Sequence, residues 1–420
     1  MDTTTFILIA CFVFGFGLLS KRLAQSPLTP PLVFVLLGVV FGPWGLDWLQ
    51  LNIEHGVMHV LAELTLILVL FGDAARIDFS ALRQELGLPV RLLAIGLPLT
   101  IALGTVVAKL LFPELEWLEA AVLGTVLAPT DAALGQAVVS NTGIPVRIRQ
   151  ALNVESGLND GIALPAVLVL AAMASMGMGG SRSASAWAQF AALQVTLGPL
   201  AGIVVAWIGF KLLKWSSDKG WMQPPFERLA GLALALLAFA VADQVGGNGF
   251  IAAFVAGMML GQWTRGRCEW LYDFLEAEGQ LLMLLVFLAF GTSFAVPALE
   301  TASWQTVAYG ALSLTAIRMV PVAIAMAGTG LRRPTVLFLG WFGPRGLASI
   351  LFGILVLARA DLAHENLVFQ VVMLTVLFSV VAHGLSAAPL AGWYASMAAD
   401  PEHCPEEHKP VMNHPLRVRS

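Results

Sequence analysis

The chain has 420 residues, 58% of them hydrophobic and 12% charged, with a net charge of −4 and a mean hydropathy of +0.81. A soluble globular chain carries about 25% charged residues, so this share leaves too little polar surface to solvate a water-exposed fold. The charge balance offers no basic stripe to nucleic acid, and Cys11, Cys268 and Cys404 stand too far apart for a CxxC or CxxH metal site or a disulfide framework.

Membrane spans need about 20 mostly apolar residues, fewer where flanking side chains snorkel. On that criterion the chain divides into thirteen segments, at 4–20, 28–42, 57–73, 88–112, 117–139, 147–177, 187–213, 226–245, 249–263, 278–296, 304–327, 335–358 and 367–392. The apolar run from Thr5 to Leu19 follows no basic stretch and leads into Ser20-Lys21-Arg22 rather than a small-residue cleavage site. It therefore reads as the first span and not as a signal peptide. Only Gly246-Gly247-Asn248 separates the eighth segment from the ninth. The polar stretch 396–420 reads as a disordered tail, in which His403, Cys404, His408 and His414 are solvated rather than metal-binding. No GxxxxGK[ST] motif occurs, so nothing points to direct drive by ATP.

Loop charges test the count. With the N-terminus outside, 18 of the 23 Lys and Arg residues fall on one face and 3 on the other, and Arg318 and Arg345 lie within spans. That asymmetry follows the positive-inside rule, and it places the C-terminus in the cytoplasm of a cell (inner) membrane protein.

Charges inside spans cost about 2.5–3.5 kcal/mol each on insertion scales, and here they cluster. Asp131 sits within Leu127-Ala128-Pro129-Thr130-Asp131 in the fifth segment. Glu155, Ser156, Asn159 and Asp160 sit in the sixth, Arg318 in the eleventh and Arg345 in the twelfth, with Glu63 and Asp73 in the third. Glu155 and Asn159 are spaced i,i+4, as are Ser156 and Asp160, which sets two polar ridges side by side on one helix face. Carboxylate, hydroxyl and carbonyl oxygens in that density suit a hard monovalent cation. Pro129 and Pro344 interrupt the fifth and twelfth segments, and proline removes a backbone donor and frees carbonyls a turn earlier. Interrupted spans at matching places in two halves point to an inverted-repeat transporter. The expected architecture is all-α, with repeats over 1–177 (spans one to six) and 226–395 (spans eight to thirteen) joined by a linker span within 178–225.

The stretches Ala128-Pro129-Thr130-Asp131, Glu155-Ser156-Gly157-Leu158-Asn159-Asp160-Gly161 and Gly343-Pro344-Arg345-Gly346-Leu347-Ala348, with a weaker Ala382-His383-Gly384-Leu385-Ser386, resemble the monovalent cation:proton antiporter family of sodium/proton exchangers. The resemblance covers essentially the whole chain. It implies two crossed, interrupted helices, a core and a dimerisation domain, and a homodimer working by an elevator-like shift. By position it makes Asp160 the ion- and proton-binding carboxylate, with Thr130, Asp131 and Ser156 helping to form the ion- and proton-binding site, Na⁺ held by Asp160, Ser156 and Thr130, and Asp131 also facing the crossing. Asn159 resembles the electroneutral branch of the family, and Glu155 is similar to a glutamate that pairs with an arginine, here Arg345 or Arg318. Relatives carry an acid directly after Leu-Phe in the third span, whereas here Gly72 intervenes before Asp73. Asp73 then either reaches the ion path or ends the helix against Arg76.

The expected function is exchange of Na⁺, or else Li⁺ or K⁺, for H⁺ with one-to-one stoichiometry, with no cofactor and with the bilayer as solvent. The residues leave two other classes open. An ion-coupled membrane enzyme subunit would be silent without soluble partners, and a cation channel would carry current without counter-transport.

Overall fold

The computed structural model describes residues 3–23, 26, 28–51, 55–75, 87–131, 133–176, 184–264, 269–400 and 402–409. Every regular element among them is helical. Cys268 and Arg76 lie outside the described residues.

Helices occupy all thirteen expected segments. They are α1 (Thr3–Leu23), α2 (Pro30–Phe41), α3 (His55–Ala75), α4 (Gly87–Leu111, with a π-helical turn at Leu92–Gly96), α5a (Trp117–Val126) with α5b (Gln136–Val139), and α6 (Val146–Met176). There follow α7 (Ala184–Asp218), α8 (Pro224–Gln244), α9 (Gly249–Thr264) and α10 (Glu269–Phe290, then a π-helical turn at Gly291–Ala295 and Val296–Glu300). The last three spans are α11a (Trp304–Leu314) with α11b (Ala316–Ala325), α12a (Arg333–Trp341) with α12b (Leu347–Arg359), and α13 (Glu365–Met397).

Local chemistry marks several of these ends. Proline opens α2 and α8, where a missing N–H costs nothing because the first amides of a helix have no partner anyway. Ser303 caps α11a by accepting from Thr306 N at 3.2 Å. The eighth and ninth spans are separate helices because Gly246, at φ +77°, ends α8. Gly247 N then donates to Ala242 O at 2.8 Å and Gly246 N to Asp243 O at 3.1 Å, the paired bonds of a left-handed helix stop.

Two sub-bundles form. In one, α9 packs between α3 and α7 with α8 alongside, and α2 packs on α10. In the other, α4 lies on α5a, α6 lies on α5a, and α13 lies on α11a and α12b. They meet along a seam where α3 touches α6 and α12b and where α9 touches α6. Backbones approach closely inside the first sub-bundle: a Cβ at Gly257 or Gly261 of α9 would lie 2.2 Å from Phe71 O or 2.0 Å from Ala75 O of α3. Lipid tails are as apolar as leucine, so such van der Waals fit is what holds helices together in a bilayer.

Outward-facing positions are apolar, among them Phe14, Leu110 and Trp304, each about 70% exposed. Among the described residues seven helices are long and apolar enough to cross a membrane unaided, and the shorter apolar ones include the interrupted α5a and α12b. The chain is a multi-pass membrane protein.

The tail departs from expectation. Helix α13 runs to Met397, and residues 402–409 are docked rather than disordered. The N-terminus of α12a has no capping side chain of its own, and Glu407 supplies one from the tail. Glu407 Oε1 accepts from Arg332 N at 3.0 Å and from Thr335 Oγ1 at 2.8 Å. Arg147 of α6 donates to Glu406, and His408 Nε2 lies 2.7 Å from Ala398 O. Lys409, and then Arg147, hold the Glu406 carboxyl below its usual range. Composition registers the polarity of this segment but not the helix end that needs it.

Cys404 is fully buried in that dock, so it should react slowly with maleimide once Cys11 and Cys268 are replaced by serine. Glu407→Ala removes a cap worth about 1 kcal/mol, which should speed labelling roughly fivefold. Equal rates in the two proteins would show that the tail is not held by Glu407.

Candidate functional site

The fifth and twelfth spans break where their prolines require it. Helix α5a stops at Val126, because the ring and missing N–H of Pro129 forbid another turn. Helix α12a stops at Trp341, and α12b begins at Leu347, beyond Pro344. The two irregular stretches meet each other: Asp131 N donates to Pro344 O at 2.8 Å.

Charges are exchanged across this crossing. Asp131 Oδ2 accepts from Leu347 N at 2.6 Å, which caps α12b, and its Oδ1 accepts from Ala133 N at 2.7 Å. Arg345 Nη1 donates to Ala128 O at 2.8 Å and Pro129 O at 3.2 Å, beyond the last turn of α5a, while Ser349 Oγ donates to Val126 O at 2.9 Å. An anion thus sits at a helix N-terminus and a cation at a helix C-terminus, the favourable sense at both ends of the helix dipole. Gly346 leaves room for the Asp131 carboxylate, since a Cβ there would lie 2.1 Å from Oδ2.

Thr130, between these groups, reaches α6. Asn159 Nδ2 donates to Thr130 Oγ1 at 2.6 Å, Ser156 Oγ donates to Thr130 O at 2.8 Å, and the two hydroxyl oxygens lie 3.2 Å apart. Because the Ser156 proton is committed to the carbonyl, the Thr130 hydroxyl donates to Ser156 Oγ. The i,i+4 ridges expected on α6 are realised. Ser156 and Asn159 are buried against the break, and Asp160 lies one turn beyond Ser156 and is half-buried. The next residue, Gly161, faces the ring of Phe254 on α9, where a Cβ would lie 2.3 Å from the ring. The turn of α6 that carries Asp160 thus meets α9 across the seam between the two sub-bundles.

Glu155 pairs with Arg318 and not with Arg345. Its Oε1 and Oε2 accept from Arg318 Nη1 and Nη2 at 2.6 and 2.8 Å, with both residues at most 2% exposed. Gly343 makes space for this arginine, because a Cβ there would lie 2.3 Å from its Nε. Asp73 is half-buried near the end of α3. Ser349 and Ser379 escaped the sequence reading. Single serines in apolar helices carry no local signal, although Ser379 lies one turn before His383.

Three carboxylates thus differ in kind. Asp131 and Glu155 are 8% and 2% exposed, and each accepts from donors on another element, whereas Asp160 keeps partial exposure. The hydroxyls of Thr130 and Ser156 and the Thr130 carbonyl add hard oxygens, the donor type that alkali cations take.

Truncating one partner of a buried ion pair strands the other charge. Glu155→Ala or Arg318→Ala should each destabilise the folded protein by about 3–5 kcal/mol, whereas the joint replacement Glu155→Leu with Arg318→Met should cost much less. Thermal unfolding in detergent checks this, and a double variant as unstable as the two singles summed would contradict it.

The sequence matches the family described as "Sodium/hydrogen exchanger, transmembrane" over residues 7–393. It is 24% identical to the K(+)/H(+) antiporter NhaP of Alkalimonas amylolytica over 396 residues, covering 94% of this chain and 67% of that protein. It is 24% identical to the K(+)/H(+) antiporter NhaP2 of Shewanella oneidensis, covering 89% and 64%, and 25% identical to a probable Na(+)/H(+) antiporter of Schizosaccharomyces pombe, covering 84% and 51%. The chain thus spans between half and two thirds of the length of these relatives. Its fold is similar to that of the sodium proton antiporter MjNhaP1 from Methanocaldococcus jannaschii, with a TM-score of 0.74 at 18% identity, covering 93% of this chain and 97% of that one. With the profile spanning nearly the whole bundle, both broken helices included, the chain belongs to the sodium/hydrogen exchanger family of membrane transporters.

Proposed function

We propose that this protein exchanges a monovalent alkali cation for protons, with both competing for Asp160. The observation that carries this reading is the placement of Asp160. Of the three carboxylates around the crossing it alone is half-buried, it lies one turn from Ser156, and it sits on the turn of α6 that meets α9 through Gly161.

A buried carboxylate is neutral when protonated and ionised when a cation sits beside it, so one site binds either species and not both. Permitting only the neutralised site to change the side it faces couples the two flows. Asn159, held by Thr130, cannot titrate, which supports one proton per cation. The sub-bundle containing α4 to α6 and α11 to α13 acts as the moving core, and that containing α2, α3 and α7 to α10 as the scaffold, within a homodimer. The charge bias of the loops supports an outside N-terminus and a cytoplasmic C-terminus in the cell membrane. The sequence favours Na⁺, while the relatives are named for K⁺ in two cases and Na⁺ in one, so the ion is assigned by direct comparison of Na⁺, Li⁺ and K⁺.

The test is proton movement in liposomes that hold a trapped pH dye, with each cation added outside at clamped zero potential. Wild-type protein should release internal protons in response to at least one cation, with no dependence on potential. Asp160→Asn should reach the membrane in normal amount and lose exchange by about a hundredfold or more. Wild-type rates in Asp160→Asn, or current in place of exchange, would overturn the proposal.

A further inference from the structure

The motif Ala382-His383-Gly384-Leu385-Ser386 has no part in the site as described so far, and His383 is a fully buried titratable group. Ser379, His383 and Ser386 follow one another at i, i+4 and i+7, so they line one face of the otherwise apolar α13. All three meet the broken twelfth span. Arg345 N donates to Ser379 Oγ at 2.7 Å, Ser379 Oγ lies 3.1 Å from His383 Nδ1, and His383 Nε2 lies 2.9 Å from Trp341 O. Trp341 Nε1 donates to Ser386 Oγ at 3.0 Å, and its ring lies over the imidazole with centroids 4.9 Å apart.

Donor roles constrain this chain at both ends. A backbone N–H only donates, so Ser379 Oγ accepts from Arg345, and its own proton is then available to His383 Nδ1. The Trp341 carbonyl can only accept, so the bond at Nε2 is made by an N–H of the imidazole, while Nδ1 faces both the hydroxyl and the carbonyl of Ser379, each at 3.1 Å. The chain joins the last carbonyl of α12a to the first amide beyond Pro344, two of the backbone groups that the break strips of helical partners. Arg345, whose main chain it holds, is the residue that reaches the Ala128 and Pro129 carbonyls beside Thr130.

We infer that His383 and Ser379 are positioning residues for cation exchange, fixing the break at 341–345 so that Arg345 holds the cut end of α5a, and with it Thr130, in the binding geometry. The inference rests on the cation reading of the Thr130–Ser156–Asp160 site. A further consequence is that the two side chains act as one unit, because removing either opens the same chain.

The experiment measures exchange rate against cation concentration in liposomes for wild type, His383→Ala, Ser379→Ala, the double variant and His383→Gln, whose amide N–H replaces the donor to Trp341. The half-saturating cation concentration should rise about 10- to 100-fold in each alanine variant, as expected when support behind a ligand is lost. The double variant should be no worse than the poorer single, and His383→Gln should recover most of the affinity. A purely structural role would lower the amount of folded protein and the maximal rate while leaving half-saturation unchanged, and that result overturns the inference. Multiplicative effects in the double variant overturn it as well. Should His383→Ala fail to fold, Ser379→Ala, which deletes one hydroxyl, decides by the same criterion. Absence of exchange in wild type would sink the antiport reading itself, whereas wild-type exchange with unchanged half-saturation in the variants sinks only this one.

Discussion

Two helices broken inside a bilayer present a problem that neither solves alone. The end of α5a exposes carbonyls and the start of α12b exposes amides, at a depth where an unsatisfied backbone group costs several kcal/mol. The structure resolves this by exchange. Asp131, from the first break, binds the amide of Leu347, while Arg345, from the second, binds the carbonyls of Ala128 and Pro129. The backbone bond from Asp131 to Pro344 ties the two stretches directly. Each break thus supplies groups that satisfy backbone ends of the other. What remains for function is whatever this matching does not consume.

Thr130 shows that remainder most clearly. Its place one residue before Asp131 makes it part of a chain that has left helical geometry, which turns its carbonyl and hydroxyl toward α6, where Ser156 and Asn159 receive them. In an unbroken helix the Thr130 carbonyl would accept from an amide one turn on and would be closed to Ser156. The proline thus changes the chemistry of its neighbour by denying it a helical partner. The Glu155–Arg318 pair does complementary work further along α6. It ties α6 to α11b with two bonds in a buried setting, where geometry has to be good for the attraction to offset desolvation. Such a pair adds little net stability, but it fixes the rotation of α6 and so the direction in which Ser156 and Asp160 point.

Packing at the seam differs from packing within the sub-bundles. Inside the first, Gly257 and Gly261 bring α9 onto the backbone of α3, an arrangement with no tolerance for sliding. Across the seam the contact beside Asp160 is an aromatic ring against a glycine, Phe254 on Gly161.

The span count, the two breaks and the polar face of α6 were all legible in the linear chain, because each depends on local chemistry. Hydropathy over about 20 residues decides membrane burial, proline decides where a helix must stop, and i,i+4 spacing decides which residues share a face. The choice between Arg318 and Arg345 as partner of Glu155 was not legible, since both lie in later spans and only the approach of α11b to α6 selects the first. Nor was it visible that Asp131 serves as a cap, that Ser349 and Ser379 serve the breaks, or that Glu407 docks the tail. Each of these side chains completes a backbone end that lies far away in sequence. A helix terminus announces its need for a partner locally, but the side chain that meets the need is chosen by how the helices are stacked, and that is decided only in three dimensions.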